Sequence, residues 1–405
     1  MSDLSIRAAA HLEFLCRELP GRAVGSPGNR AATDWFARQV AAFGFEVETP
    51  EFECIDWEHG GAELRLGSTR LEAVPSPYSL GCEVYGKLRV VDSLEALERT
   101  SAEGAVLLIR GSLAKEQVMP KNFPFYNPEE HQRIIACLER KRPAAILAAT
   151  GRDPGMAGGL SPFPLIEDGD FDIPCAHMAE DAGAELAGHA GEAAGLTIRA
   201  RRSAASGYNV EARKGPTTGA RIVVFAHIDA KLGTPGALDN AAGVVTLLLL
   251  AESLQSHTPG VGIELVALNG EDYYSAPGEK LYLRRNAERF SEVLLGVNID
   301  GAGDRVGEMA FSLYGCPPPM AVAIRRAFHM RPGMIEGEAW YQSDHSLFLM
   351  HARPALAVTS ARFSELWAVI AHTEKDVPEL VSPEKLEDLA RVLREVVIDV
   401  PRLSL

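Results

Sequence analysis

In the second half of this 405-residue chain, histidines and carboxylates repeatedly follow apolar runs. His227 and Asp229 close the run Arg221 to Ala226, and Asp239 stands across a short polar loop from them. Asn269-Gly270-Glu271-Asp272 follows the run at 261–268, Asp300 follows 293–299, and His372 and Asp376 lie beyond 354–359 in AHTEKD. Brought to one place, such carboxylates repel one another, and cations are the natural resolution. Imidazole and carboxylate ligands without thiolates suit zinc first, with manganese or cobalt as alternatives. Two imidazoles and three carboxylates suffice for two divalent ions, ~3.5–4 Å apart, if one carboxylate bridges them. A water between such ions is acidified towards a pKa of ~7, and one further carboxylate must stay free to move its proton. The doublet Glu271-Asp272 offers one ligand and one base.

The elements that must position these groups are legible in the same stretches. The run Arg221 to Ala226 is β-branched and apolar and predicts a buried strand. A turn at Thr234-Pro235-Gly236 leads to Asp239-Asn240, which occupies the cap position of the apolar helix AAGVVTLLLLAESL. Further strands are expected at 261–268, 293–299, 308–314 and 354–359, with helices between them and from Pro383 to about Val397. Two helices and a strand from Phe45 to Cys54 precede this region. Alternating strands and helices predict an α/β fold with a mainly parallel central sheet flanked by helices. Such sheets bind ligands beyond the carboxyl ends of their strands, where these polar residues fall. Residues 57–206 have another texture, with short strands, few helices and loops rich in Gly and Pro expected at the surface. They predict an inserted β-rich domain, leaving 1–56 and 207–405 as a discontinuous domain of their own.

Composition narrows the partners. Lys and Arg number 40 against 55 Asp and Glu, a formal charge of -15 with no basic run, which argues against nucleic acid and anionic membranes as partners. The six cysteines are scattered without a CxxC pair, as expected of free thiols in a reducing cytoplasm. The N-terminus reads as an amphipathic helix interrupted by Asp3 and Glu13 rather than a secretory leader. Oligomeric state leaves no mark on the sequence. Each site residue has a bland explanation taken singly: a hydrogen-bonded His227, an N-cap at Asp239, an exposed loop pair at Glu271-Asp272, a turn at Asp300-Gly301. Their joint occurrence at strand ends of one domain is what argues for a metal centre.

The order of these motifs resembles the M28 metallopeptidases, which are co-catalytic zinc aminopeptidases and their carboxypeptidase relatives. The motifs are HxD at His227-Ile228-Asp229, the DN(A/S)xG helix start at Asp239 to Gly243, and the acid pair Glu271-Asp272. NxD follows at Asn298-Ile299-Asp300, SDHxxF at Ser343 to Phe348 and HTxxD at His372 to Asp376. The resemblance implies that His227 and Asp300 hold one zinc, Asp272 and His372 the other, and that Asp239 bridges them. It implies Glu271 as general base and Asp229 as the group that orients His227. Ser343, Asp344, His345 and Asp376 are expected around the ligands or in the pocket wall, and Tyr341 is the candidate for polarising the scissile carbonyl. Residues 57–206 resemble a protease-associated domain. The second acid is Asp272 where this family commonly has Glu, about 1.5 Å shorter in reach, so a single-ion site is the alternative to two. The implied activity is exopeptidase, foremost aminopeptidase, on a peptide or small amide. Alternatives on the same fold are another zinc amide hydrolase, a carboxypeptidase or a glutaminyl cyclase type transferase, and outside catalysis an inactive peptidase-like binding protein.

Overall fold

The computed structural model describes residues 2–403 apart from Pro20 and Phe125, and the chain divides into two units, Met1–Cys54 with Ala205–Leu405, and Ile55–Ala204. Among the described residues the sheet of the first unit has eight strands: β1 (Glu46–Glu48), β2 (Val210–Lys214), β3 (Arg221–His227), β4 (Gly262–Leu268), β5 (Val293–Ile299), β6 (Met309–Tyr314), β7 (Met334–Glu336) and β8 (Ala355–Ser360). Its main helices are α1 (Asp3–Glu13), α2 (Pro27–Ala42), α3 (Ala242–Ser253), α4 (Pro277–Asn286), α5 (Pro318–His329), α6 (Ser346–Leu349), α7 (Phe363–Val369) and α8 (Pro383–Leu403).

The strands lie in the order β1-β2-β4-β3-β5-β8-β6-β7. β4, β3, β5 and β8 run parallel at the centre, while β1 with β2, β2 with β4, and β6 with β8 are antiparallel. Every residue of β3, β4 and β8 is buried, as expected of strands covered on both faces. Alternation along β3 sorts the two faces: Ile222, Val224 and Ala226 join α1, α2, α3, α5 and α8 in one core, whereas Phe225 meets Tyr282 of α4 and Phe348 of α6 at ring distances of 4.9 and 4.8 Å. α3 is apolar on all sides and buried from Ala242 to Ala251. Its start is drawn tightly onto β5, because a Cβ at Gly243 would lie 2.6 Å from the Ile299 carbonyl oxygen.

Register does the positioning. Phe225 pairs with Asn298 across β3 and β5, and His227 with Leu268 across β3 and β4, so His227, Asp300 and the loop after Leu268 emerge at one level. β3 sends one connection to β4 on one side and β5 lies on the other, which makes its carboxyl end the crevice of the sheet.

Two expectations are corrected. The strand expected from Phe45 to Cys54 is interrupted, and Glu46–Glu48 and Glu51–Leu66 are separate strands flanking Thr49-Pro50, where proline lacks a ladder donor. The Gly/Pro-rich loop following Thr150 is not all surface: Phe163, Leu165, Ile166 and Phe171 are buried, and the Phe163 backbone is tied by both its N–H and its C=O to the Thr150 hydroxyl. Apolar side chains outweigh the polar texture of that loop. Among the described residues no helix is long and apolar enough to cross a membrane.

The second unit is a closed seven-stranded barrel. On the strand Val106–Ile109, Val106 and Leu108 join Leu64, Leu147 and Leu196 in one apolar cluster, while Leu107 and Ile109 join Ile134 and Leu138 of the helix Glu129–Lys141 in another. Period-two alternation therefore builds both layers from one strand. His177 is buried here with no partner for Nδ1, and burial, opposed only by Glu167, lowers its pKa from 6.5 to about 4. The unfolded state then binds the proton first as pH falls. The unit is expected to lose stability between pH 6.5 and about 4, by about 3 kcal/mol in total from this group. Urea unfolding followed through Trp57, the sole tryptophan of the unit, should show that loss, and His177→Gln should flatten it. An unchanged slope in the variant would assign the effect elsewhere.

Candidate metal centre

Asp239 stands between two imidazoles. Its Oδ1 lies 3.1 Å from His227 Nε2 and its Oδ2 3.1 Å from His372 Nε2. Asp300 Oδ1 approaches His227 Nε2 at 3.6 Å, and Asp272 Oδ1 approaches His372 Nε2 at 2.7 Å. Two groups of three result, His227, Asp239, Asp300 and Asp239, Asp272, His372, the donor atoms of each lying within 4.8 Å of one another. His227 Nε2, Asp239 Oδ2 and Asp272 Oδ2 are buried without hydrogen-bond partners. Buried polar atoms are normally paired, and convergent orphans of this chemistry fit divalent cations.

Local structure explains why Asp239 is free for this. Asp239 (φ -121°, ψ 85°) and Asn240 (φ -139°, ψ 42°) are not helical, and the peptide between them is cis. Asn240 does the capping, accepting from the Gly243 N–H at 3.0 Å and donating to the Ile299 carbonyl at 2.7 Å. The cap expected of the pair belongs to Asn240 alone, so the neighbouring carboxylate points elsewhere. His372 adopts φ 59°, a left-handed backbone uncommon for a residue with a side chain. The shorter Asp272 reaches its histidine because Asp229 draws in the loop, accepting from the Gly270 N–H at 2.8 Å and the Asp272 N–H at 3.1 Å. Gly270 makes this turn at φ +135°.

Charge is unevenly resolved. Burial disfavours imidazolium at His372, but Asp272 and Asp239 outweigh it and raise the pKa to about 10. His227 is likewise raised, against burial, by Asp229, Asp239 and Asp300, and Asp239 is lowered against burial by the same two histidines. Protons thus sit where cations would, and zinc must displace them. Zinc uptake at pH 7 is expected to release protons, read by calorimetry in buffers of different ionisation enthalpy, and affinity should fall as pH falls. A buffer-independent heat would contradict this. Burial pushes Glu271 well above the usual carboxylate range, with Asp300, Asp272 and Asp344 adding to the effect and His227 opposing it.

The surrounding residues divide by partner. Asp229 is 3.6 Å from His227 Nδ1, too far for a hydrogen bond, and its firm bonds are those to the acid loop. Ser343 donates to Asp300 Oδ2 at 2.6 Å and accepts from Asn298 Nδ2 at 2.8 Å, which leaves Oδ1 as the free oxygen of Asp300. Ser343→Ala is expected to weaken zinc at the His227–Asp300 position by about 10–100-fold, measured by chelator competition. An unchanged affinity would reduce Ser343 to packing. Asp376 accepts from the backbone N–H groups of Leu238 and Asp239 at 2.8 and 3.0 Å. His345 faces the Trp340 carbonyl with Nε2 at 2.7 Å. Asp344 is fully buried with neither oxygen hydrogen-bonded, and burial together with Asp300, Asp229 and Asp272 pushes it up to about 8 despite His227. Tyr341 is 60% exposed and edge-on to Tyr314 at 5.6 Å, so the structure does not bring it into the buried cluster.

Sequence reasoning missed the groups that hold the loops. Asn29 and Asn269 exchange amide hydrogen bonds at 2.8 and 2.9 Å, and Asn209 accepts from the Asn269 N–H at 3.1 Å. Arg22 is buried beside the loop leading to Asp239. Isolated polar residues carry no periodic signal, though Asn269 directly before the acid pair was a visible hint. A shallow apolar pocket adjoins the cluster, walled by Leu238, Phe363, Leu366, Trp367 and Ile370, with Asp239 and Asp300 among its lining.

Residues 209–397 match the sequence profile described as peptidase family M28. Over 290 residues the chain is 25% identical to a probable lipoprotein aminopeptidase, LpqL, of Mycobacterium tuberculosis (strain ATCC 25618 / H37Rv), covering 69% of this chain and 54% of that protein. The chain therefore spans about half the length of this curated relative. Among solved structures it is similar to an aminopeptidase from Aneurinibacillus sp. strain AM-1, with TM-score 0.76, 20% identity, and coverage of 97% of this chain and 93% of that one. It is also similar to BSAP, a zinc aminopeptidase from Bacillus subtilis, with TM-score 0.73, 17% identity, and coverage of 98% and 96%. At these identities the two structures speak for the fold.

Proposed function

We propose, from the premise that residues 209–397 belong to peptidase family M28, that this protein is a zinc-dependent aminopeptidase removing an apolar N-terminal residue from peptides. His227 and Asp300 would hold one zinc, Asp272 and His372 a second, and Asp239 both. When bound, zinc supplies Lewis acidity towards the scissile carbonyl and lowers the pKa of water towards ~7. Glu271, with no hydrogen bond that would engage its carboxylate elsewhere among the described residues, takes a proton from the attacking water and returns it to the leaving amine. Asp229 and Asp376 hold the backbone that carries Asp272 and Asp239.

The observation that carries the amino-terminal reading is the pocket. It is apolar, it abuts two carboxylates, and no lysine or arginine lines it. With Asp239 and Asp300 committed to zinc, a substrate carboxylate would find no basic clamp in this wall, whereas a free N-terminal amine needs none. Phe363, Leu366 and Trp367 offer an apolar side chain a surface for which a charged one has no partner.

The test pairs zinc content by mass spectrometry with hydrolysis of peptides whose N-terminus is free or acetylated and whose first residue is Leu, Phe or Asp. Two zinc ions per chain and cleavage of free Leu and Phe peptides alone are expected. One ion with retained activity would exclude Asp272 as an essential ligand. Cleavage of acetylated peptides or of C-terminal residues would replace the aminopeptidase reading, and a protein that takes up no zinc and cleaves nothing would be a binding protein on this fold.

A further inference from the structure

Two buried polar side chains, from opposite ends of the sequence, hold the backbone that carries Asp239. Arg22 is 1% exposed. It donates Nε to the Ile228 carbonyl at 3.0 Å, one terminal nitrogen to the carbonyls of Leu15 and Pro235 at 2.8 and 2.9 Å, and the other to the Gly236 carbonyl at 2.8 Å. Its own carbonyl accepts from the Asn29 amide at 2.9 Å and the Ala230 N–H at 3.3 Å. Among the described residues Arg22 makes no salt bridge, so the guanidinium is neutralised by carbonyl dipoles and by the field of the acidic cluster rather than by a contact ion pair. A charge buried on those terms is costly to keep. From the other side, Asp376 accepts the N–H groups of Leu238 and Asp239, and its backbone carbonyl accepts the Ala237 N–H at 3.1 Å. Donors from Arg22 take the carbonyls of Pro235 and Gly236, and acceptors of Asp376 take the next three N–H groups. Gly236, at φ +58°, has no room for a side chain, since a Cβ would lie 2.8 Å from the Arg22 guanidinium and 2.6 Å from the Asp239 carbonyl oxygen.

A buried arginine wired to carbonyls is ordinarily a brace that adds stability alone. Here its bonds end on the peptide groups next to the residue whose two oxygens must face two imidazoles at once, and a small shift of that residue would misplace both. We infer that Arg22 and Asp376 are positioning residues, an opposed donor and acceptor that fix the Asp239 carboxylate between His227 and His372, so that both metal positions depend on a residue near the N-terminus. The inference rests on the metal-centre reading above.

Arg22→Lys keeps the charge and loses the fork, and Asp376→Asn keeps the shape and loses one of the two acceptor oxygens. Each is expected to weaken zinc binding at both positions by about 10–100-fold, measured by chelator competition on metal-stripped protein. The double variant should cost less than the product of the two, because either change alone releases the same segment. Amide hydrogen exchange across 236–239 should accelerate in both single variants without metal. A lowered melting temperature with unchanged zinc affinity and unchanged exchange would overturn the inference and leave a stabilising brace. Should Arg22→Lys not fold, Asp376→Asn decides by the same two readouts. If the wild type itself takes up no zinc, the metal-centre reading fails, and exchange at 236–239 still decides whether the clamp exists.

Discussion

Asp239→Ala is expected to empty both metal positions at once and to lower kcat/KM by at least about 10³-fold, the scale of losing the electrostatic stabilisation of a reacting centre altogether. Each Asp239 oxygen faces a different imidazole at 3.1 Å, and both three-residue groups contain it. Without it each group keeps one histidine and one carboxylate, too few for a zinc site. Asp300→Ala should differ in kind, because Asp300 belongs to one group only. Zinc stoichiometry separates the two: about none for Asp239→Ala, about one for Asp300→Ala. The backbone bonds that Asp376 and Arg22 make around residue 239 are untouched by truncating its side chain, so the fold should persist, which circular dichroism can check. Two ions retained in Asp239→Ala would remove it as the bridge, whatever happened to activity.

Glu271→Gln should show the opposite signature. Glu271 belongs to neither ligand group, and glutamine keeps its shape while losing the ability to accept a proton. Zinc content should stay at the wild-type value and KM within a few-fold, while kcat falls by about 10²–10⁴-fold, the usual contribution of a general base. Burial and surrounding acids raise Glu271 well above the normal range in the metal-free protein, so it binds a proton readily there. Cations beside it favour the carboxylate, and so metal uptake and readiness of the base are linked. Loss of zinc in Glu271→Gln would make it a ligand instead, and unchanged kcat would assign proton transfer to another group, with Asp344 the next buried carboxyl to examine.

The four central strands and the buried helix after Asp239 were legible because long apolar runs admit few other interpretations. Boundaries held within a residue or two at 261–268, 293–299 and 354–359, where Gly262–Leu268, Val293–Ile299 and Ala355–Ser360 form. The break at Thr49-Pro50 and the buried loop after Thr150 were not legible, since one depends on a missing donor amid alternating residues and the other on distant packing partners. Similar limits applied to the site. His227, Asp272, Asp300 and His372 announced themselves by following strands, whereas Arg22 in a loop and Asn29 in the first turn of α2 carry nothing local that marks them.

What the sequence determined by itself is chemical: which donor types exist, that they follow parallel strands, and therefore that they gather at one edge of one sheet. Only the tertiary structure decided geometry between residues far apart in the chain. It turned Asp239 rather than Asn240 towards both histidines, brought the short Asp272 within 2.7 Å of His372, set Ser343 on one oxygen of Asp300, and left Tyr341 outside the cluster. The reason is physical. Strand and helix patterns follow from local sterics and burial, while ligation depends on distances of a few tenths of an ångström, which arise where packed elements and buried hydrogen bonds close around a common point.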